Sequence, residues 1–401
     1  MIYDFDHSPN RRSTDSLKWS KHDDDVIPLW IADMDFVSPT PVIEALRQRV
    51  EHGVFGYPES VLGALGAQDE VPAFRRLIVD RLAECYDWQV QPEALIFIPG
   101  VVVAFNLACH AFSPPGGGVL IQPPIYEPFL RAAEWTGRAR REAPLARQAD
   151  GSYAVDWNGF EPAITPDTRV FILCNPHNPV GRVFSHAELE RMAEICLRRD
   201  VVICSDEIHC DLIFTGHRHI PIASLDPEIA NNTVTLMAPT KTFNIAGLQC
   251  SIVIIPNPEL RQKYQAARQG LVAWVNLMGL LAAQVAYRDG QDWLDQLLVY
   301  LEANRDDLHE YVQRELPGIT MTKPEGTYLA WLDCRRSGIE GSPYDFFLQQ
   351  ARVALSDGAA FGSGGEGFVR LNFGCPRSIL VEALERMKKA LASPRGETAA
   401  M

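Results

Sequence analysis

Residues 233–247, TVTLMAPTKTFNIAG, decide how the rest of the chain reads. An apolar, β-branched run ending at Met237 leads into a turn that presents one lysine, Lys241, in otherwise neutral surroundings. Runs without polar alternation fit strands covered on both faces, as in a mostly parallel sheet. In such sheets ligands gather where strands end and loops begin. Lys241 is therefore either a surface group at a loop end or an amine held in a pocket, and its companions must decide.

The same beat recurs along the chain. Apolar runs at 95–98, 119–121, 170–174, 201–204, 234–236 and 252–255 alternate with helical spacing. Ser185 and Glu188 stand at capping-box spacing before Leu189, Met192, Ala193 and Cys196. Pro41 opens an earlier helix with Ile43, Leu46 and Val50 on one face, and Gly53 closes it. The apolar stretch 94–112 is broken by Pro99-Gly100 and carries Asn106 and His110, so it reads as strand, turn and helix rather than a membrane span. Helical patterns resume from about Asp292, followed by short strands near 328–332 and 368–372 and a last helix from about Arg377. Residues 50–285 are the expected large domain, with 1–49 joining a smaller α+β domain at 286–401 and a frayed tail from Ser393.

Bulk properties narrow the function. The 401 residues suit two domains, and 47% hydrophobic with 22% charged residues describes a soluble globular protein. A formal net charge of -14 repels nucleic acid and anionic membrane surfaces. The N-terminus lacks an export pattern, and the nine scattered cysteines include no CxxC pair. A cytoplasmic protein with reduced, mostly buried thiols and no metal site is expected. The acidic patch at 23–25 reads as a solvated loop.

The ends of the proposed strands carry a consistent polar set. Pro99-Gly100-Val101-Val102 before a helix suits an anion, because glycine lets the backbone approach and the helix start offers free N–H groups. NPHNPVG at 175–181 fixes a rigid loop presenting amides, and SDEIH at 205–209 ends a strand on a carboxylate. Alone, each has a bland reading: a turn, a helix cap, a satisfied core histidine. Together they ask for a ligand with a phosphate, a basic ring nitrogen and a group that condenses with an amine. A buried carboxylate keeps a ring nitrogen protonated, and a desolvated lysine is a Schiff-base nucleophile. Pyridoxal 5'-phosphate meets all three demands.

WIADMDF (30–36), FGYP (55–58), PGVV (99–102), CNPHNPVG (174–181), SDEIH (205–209), TKTFNIAGLQ (240–249) and VRLNFGCPR (369–377) carry a resemblance over nearly the whole chain. The sequence resembles the fold-type I pyridoxal-phosphate enzymes of the class I/II aminotransferase group, and within it the MalY/PatB-like carbon–sulfur lyase branch. The resemblance implies a seven-stranded, mostly parallel sheet sandwiched by helices, with a smaller α+β domain. It implies that Lys241 forms the Schiff base, Asp206 pairs with the ring nitrogen, Asn178 bonds the ring hydroxyl and Tyr126 covers the ring face. Gly100, Val101 and Val102, with the Thr240 hydroxyl, would hold the phosphate, and Tyr57 would reach the phosphate of a neighbouring subunit in a homodimer. Arg370 would grip the substrate carboxylate, with Ala32 and Asn178 beside it. His209 stands where many relatives carry tyrosine. Ala238 and Gln249 replace a serine and an arginine that many relatives place on the phosphate. No second arginine for a side-chain carboxylate is identifiable. The implied activity is β-elimination on L-cystathionine or a related L-cysteine S-conjugate. An aminotransferase, or a cofactor-binding regulator acting through a protein partner, are the alternatives.

Overall fold

The computed structural model describes residues 1–58 and 73–392. The tail expected from Ser393 lies outside the described residues. A seven-stranded sheet forms the centre, in the order Leu95–Ile98, Ser251–Ile254, Thr233–Met237, Val202–Asp206, Thr168–Cys174, Gly118–Ile121 and Ala139–Glu142. Ser251–Ile254 runs antiparallel to both its neighbours, and the other pairings are parallel. Six of these strands are the apolar runs of the sequence, and their residues are almost all buried because helices cover both faces.

The seventh strand, Ala139–Glu142, has no apolar signature. It lies at the sheet edge, pairs on one side only, and carries Arg140, Arg141 and Glu142, with Arg141 bonded to Asp167 at 2.8 Å. At the opposite edge the helix Ala73–Tyr86 covers Leu95–Ile98. Phe74 stacks on Phe97 with centroids 4.9 Å apart, and the Arg75 guanidinium donates to the Leu95 carbonyl at 2.5 Å. Both edges are thus blunted.

The stretch 94–112 resolves as the strand Leu95–Ile98, a turn at Gly100 and the helix Val101–Phe112. Among the described residues no helix is long and apolar enough to cross a membrane. Ser185 and Glu188 complete the capping box of His186–Arg198, a cap worth about 1 kcal/mol. The helix Thr40–His52 opens at Pro41 and closes on Gly53 at φ 76°. Its apolar face differs from the expected one. Val42 is fully buried, whereas Val50 is 57% exposed, because the last turn runs past the core into an exposed stretch at 50–57.

A four-stranded antiparallel sheet, Thr320–Met321, Leu329–Asp333, Phe368–Asn372 and Ser356–Asp357, packs with the helices Gln291–Glu315 and Arg377–Ala392. The N-terminal segment joins this region: Ile27–Pro28 pairs in parallel with Val353–Ala354. The acidic patch at 23–25 has partners there. Arg352 bonds Asp23 at 2.7 Å and Asp25 at 2.6 Å, and Arg12 bonds Asp24 at 2.9 Å. The patch is solvated as expected, its side chains 63–95% exposed, and these ion pairs lie on the surface. The nine cysteines are free thiols, all buried except Cys85.

Candidate active site

The parallel strands Val202–Asp206, Thr168–Cys174 and Thr233–Met237 lead at their C-terminal ends to Asp206, Asn178 and Lys241. Strand Val202–Asp206 ends on Asp206, 5% exposed, whose Oδ1 accepts from the Ile208 amide at 3.0 Å. Burial pushes its carboxyl up to about 7. Behind it, the buried Glu207 accepts from the Ser205 hydroxyl at 2.8 Å and pairs with His219 Nε2 at 2.8 Å. The Glu207 amide donates to the Leu236 carbonyl at 2.8 Å, so the loop after Asp206 is tied to the strand that leads to Lys241.

Strand Thr168–Cys174 leads into the two Asn-Pro pairs. The Asn178 carbonyl accepts from the Tyr126 amide at 3.1 Å, and the Asn175 amide donates to the Asp206 carbonyl at 2.9 Å. His177, fully buried, sits between the Cys174 carbonyl at 3.2 Å and the Pro124 carbonyl at 2.8 Å. Burial lowers its imidazole to about 4, so the neutral ring has one N–H to donate, and the Pro124 carbonyl is the nearer acceptor.

Lys241 follows strand Thr233–Met237, and its Nζ donates to the Ala32 carbonyl at 2.6 Å. Burial lowers its amine to about 8; Asp33 and Asp206 act to raise it and Arg370 to lower it. His209, 2% exposed, meets the Tyr328 ring edge-on at 5.8 Å. Burial, with the Lys241 and Arg370 cations, pushes its imidazole down to about 3. His209 is consequently neutral in ordinary conditions.

Arg370 lies on strand Phe368–Asn372, 4% exposed. It donates to Asn178 Oδ1 at 3.1 Å, the Trp30 carbonyl at 2.7 Å and Ser356 Oγ at 3.1 Å, and its guanidinium lies 5.1 Å from the Phe361 ring centroid. All of these partners are neutral, so among the described residues the cation is buried without a carboxylate. A buried charge costs several kcal/mol unless an opposite charge joins it. The site is therefore primed for an anion.

The arrangement also fits the implied cofactor. Arg370 Nε, His209 Nδ1 and Asn175 Nδ2 are buried with no partner among the described residues. Gly100 takes φ 119°, and a Cβ there would meet nothing, so the backbone borders open space at the start of the helix Val101–Phe112. The first N–H groups of that helix have no partner within it, and Thr240 is buried nearby in sequence to Lys241. An anion seat, a buried carboxyl and a depressed amine suit a phosphorylated, ring-nitrogen aldehyde. Among the described residues no cluster of His, Cys, Asp and Glu could hold a metal ion.

Two expectations need placing. Tyr57 is 81% exposed, and its ring packs edge-on against Trp274 at 5.8 Å, so this contact lies on the surface rather than beside Lys241. Asn244 does more than turn the chain: its amide donates to the Met34 and Phe36 carbonyls at 2.9 and 2.8 Å and accepts from the Met34 amide at 3.0 Å. It fastens the segment 29–36 beside Lys241. Tyr328, whose hydroxyl donates to the same Ala32 carbonyl at 3.0 Å, Ser356 and Asp33 were not foreseen. No local pattern marks them, because their relation to Lys241 is made only by folding.

The family model for aminotransferase class I and II matches residues 24–387. The chain is 41% identical over 399 residues to the cystathionine beta-lyase PatB of Bacillus subtilis (strain 168), covering 97% of this chain and 100% of that one. Among solved structures, it is similar to OvoB at 43% identity and a TM-score of 0.90, with 98% and 100% of the two chains covered. It is also similar to the PLP-bound C-S lyase from Staphylococcus hominis at 30% identity and a TM-score of 0.90, with 98% and 100% covered. A half-buried lysine, a buried carboxyl and a buried guanidinium, with a family match across most of the chain, lead to one conclusion: this protein belongs to the class I and II aminotransferase family, whose cofactor is pyridoxal 5'-phosphate.

Proposed function

We propose that the chain is a carbon–sulfur β-lyase that cleaves L-cystathionine or a related L-cysteine S-conjugate to a thiol, pyruvate and ammonia. The observation that carries this reading is Lys241 within the field of a buried Arg370 that lacks a carboxylate among the described residues, a seat for the amine and α-carboxylate of one amino acid. Similarity to PatB over the full length favours elimination over transamination.

When bound, pyridoxal phosphate supplies a carbonyl that condenses with an amine and a protonated ring that accepts an electron pair from Cα. The chain does the rest. Arg370 would fork onto the α-carboxylate and fix the direction of the Cα–H bond. Lys241, with its amine near neutrality, would take that proton and return one to the departing sulfur. Asp206 would hold the proton on the ring nitrogen, Asn178 would bond the ring hydroxyl, and Tyr126 would cover the ring. Gly100, Val101, Val102 and Thr240 would seat the phosphate. Residues 50–285 would carry the cofactor, with 1–49 and 286–401 forming the smaller unit.

Incubation with cystathionine should release thiol and pyruvate in equal amounts. Incubation with an amino acid and 2-oxoglutarate should give little glutamate. Glutamate without thiol would sink the lyase reading in favour of an aminotransferase.

A homodimer with shared sites is part of this proposal. Val54 and Phe55 (both 59% exposed), Tyr57, Leu271 (74%) and Trp274 (52%) form an exposed apolar set suited to a second copy. Tyr57→Ala and Lys241→Ala proteins, each inactive alone, should regain activity when unfolded and refolded together. One site of each mixed pair would then have both residues intact, whereas no recovery would exclude a shared site.

A further inference from the structure

The segment 29–36, whose Ala32 carbonyl holds Lys241, carries two carboxylates that are treated differently: the Asp35 side chain is wholly buried and that of Asp33 is 26% exposed. Asp35, wholly buried, is satisfied by Arg11 at 2.6 Å, Lys18 at 2.7 Å and the Trp19 indole at 2.8 Å. Asp33 is only half provided for. Its Oδ2 accepts from Arg11 at 2.6 Å, while Oδ1 is buried without a hydrogen-bond donor. Lys18 Nζ stands 3.8 Å from that oxygen and is committed to Asp35 and the Asp33 carbonyl. A carboxylate oxygen withheld from water and donors is costly, and such an atom calls for a charge nearby to compensate it.

Lys18 is one cation near that oxygen, and a second, Lys241, is held on the neighbouring residue without an ion-pair contact to Asp33. The Ala32 carbonyl accepts from Lys241 Nζ at 2.6 Å and from the Tyr328 hydroxyl at 3.0 Å, so the lysine is tethered one residue away from Asp33. We propose that Asp33 is a positioning residue for Lys241: its carboxylate serves as the counterion of the Lys241 ammonium whenever that amine is free, and Arg11 moderates it by sharing the same carboxylate. The proposal rests on reading Lys241 as the Schiff-base lysine.

The groups acting on Lys241 come from several elements. Arg370 on the strand Phe368–Asn372 opposes its protonation, Asp206 at the end of Val202–Asp206 supports it, and His209 and Tyr328 are neutral neighbours. Among the anions, Asp33 weighs more on the lysine than Asp206 does. This division of labour is chemically apt, because Asp206 is the group reserved for the ring nitrogen. Asp33 itself faces Arg11 and Lys18, with Asp35 drawing on both.

The test follows Lys241 directly in the full-length chain stripped of cofactor, by acetic anhydride labelling across pH with mass spectrometry of the Lys241 peptide. Asp33→Asn removes the counterion, so labelling at pH 7 should rise by about threefold to fivefold, as a fall in amine proton affinity of roughly half to one pH unit from about 8 requires. Arg11→Gln leaves Asp33 unmoderated, so labelling should fall by a similar factor. Opposite signs separate this role from a structural one, because loosening the segment would expose Lys241 and raise labelling in both variants. Shifts in the same direction, or no shift in either, would overturn the proposal. If Asp33→Asn protein does not fold, Arg11→Gln decides alone: unchanged or faster labelling rejects the idea. The Schiff-base reading is checked separately, by whether borohydride reduction of the loaded wild-type protein leaves a cofactor-sized mass on Lys241.

Discussion

Lys241→Ala protein is expected to fold, to bind pyridoxal phosphate without a reducible covalent link, and to lose thiol release from cysteine conjugates almost completely. Lys241 is asked to do two things at once. It anchors the cofactor as an amine nucleophile, and it takes the Cα proton as a base. General acid–base catalysis alone contributes about 10²- to 10⁴-fold, so a loss of at least about a thousandfold is expected. Burial depresses the amine to about 8, so an appreciable share is unprotonated near neutrality and can attack or accept a proton. Alanine supplies neither function, and the Ala32 carbonyl and Tyr328 hydroxyl that held the amine remain in place. Pyruvate formation at an undiminished rate by this variant would refute the assignment.

Asp206→Asn should act in two opposite ways, depending on the cofactor. In the cofactor-free chain the Asp206 carboxyl is raised from 3.8 to about 7 by burial. The folded state then binds a proton more tightly than the unfolded chain between those limits. Stability is accordingly full below about pH 4 and falls as pH rises towards 7. At about 1.4 kcal/mol per tenfold, the whole rise corresponds to roughly 4 kcal/mol as an upper figure. Asparagine has no such titration, so cofactor-free Asp206→Asn protein should melt higher than wild type at pH 8 and lack this slope between pH 4 and 7. The loaded protein should behave in the opposite sense. There the variant leaves the ring nitrogen without its anion, and breaking a buried pair costs about 3–5 kcal/mol, so turnover should fall by at least about a hundredfold. Paired melts at pH 5 and pH 8, with and without pyridoxal phosphate, read both effects. A wild-type apo chain that gains stability over this range relative to the variant would contradict the raised carboxyl.

The central sheet was legible because six strands are buried on both faces, and burial writes a continuous apolar run into the residues. The strand Ala139–Glu142 was not located for the complementary reason. An edge strand pairs once and keeps charged side chains, so ARRE reads like any polar loop. Val50 shows a similar limit. Helical spacing marks which residues share a face, but not how far along the helix the core extends. In the site, Lys241, Asp206 and Asn178 stood out because they follow strands directly, whereas Asp33 and Tyr328 reach Lys241 from distant parts of the chain. The Ala32 carbonyl that meets Lys241 is a backbone atom, and residue identity says nothing of backbone atoms.

The blunted sheet edges have a wider consequence. One edge presents guanidinium and carboxylate groups, and the other has its Leu95 carbonyl already taken by Arg75. Neither offers a free row of backbone donors and acceptors for a further chain to copy. Strand-on-strand growth from either edge is thereby disfavoured. The charges at Arg140, Arg141 and Glu142 thus guard one edge against the pairing that fibrils are built from.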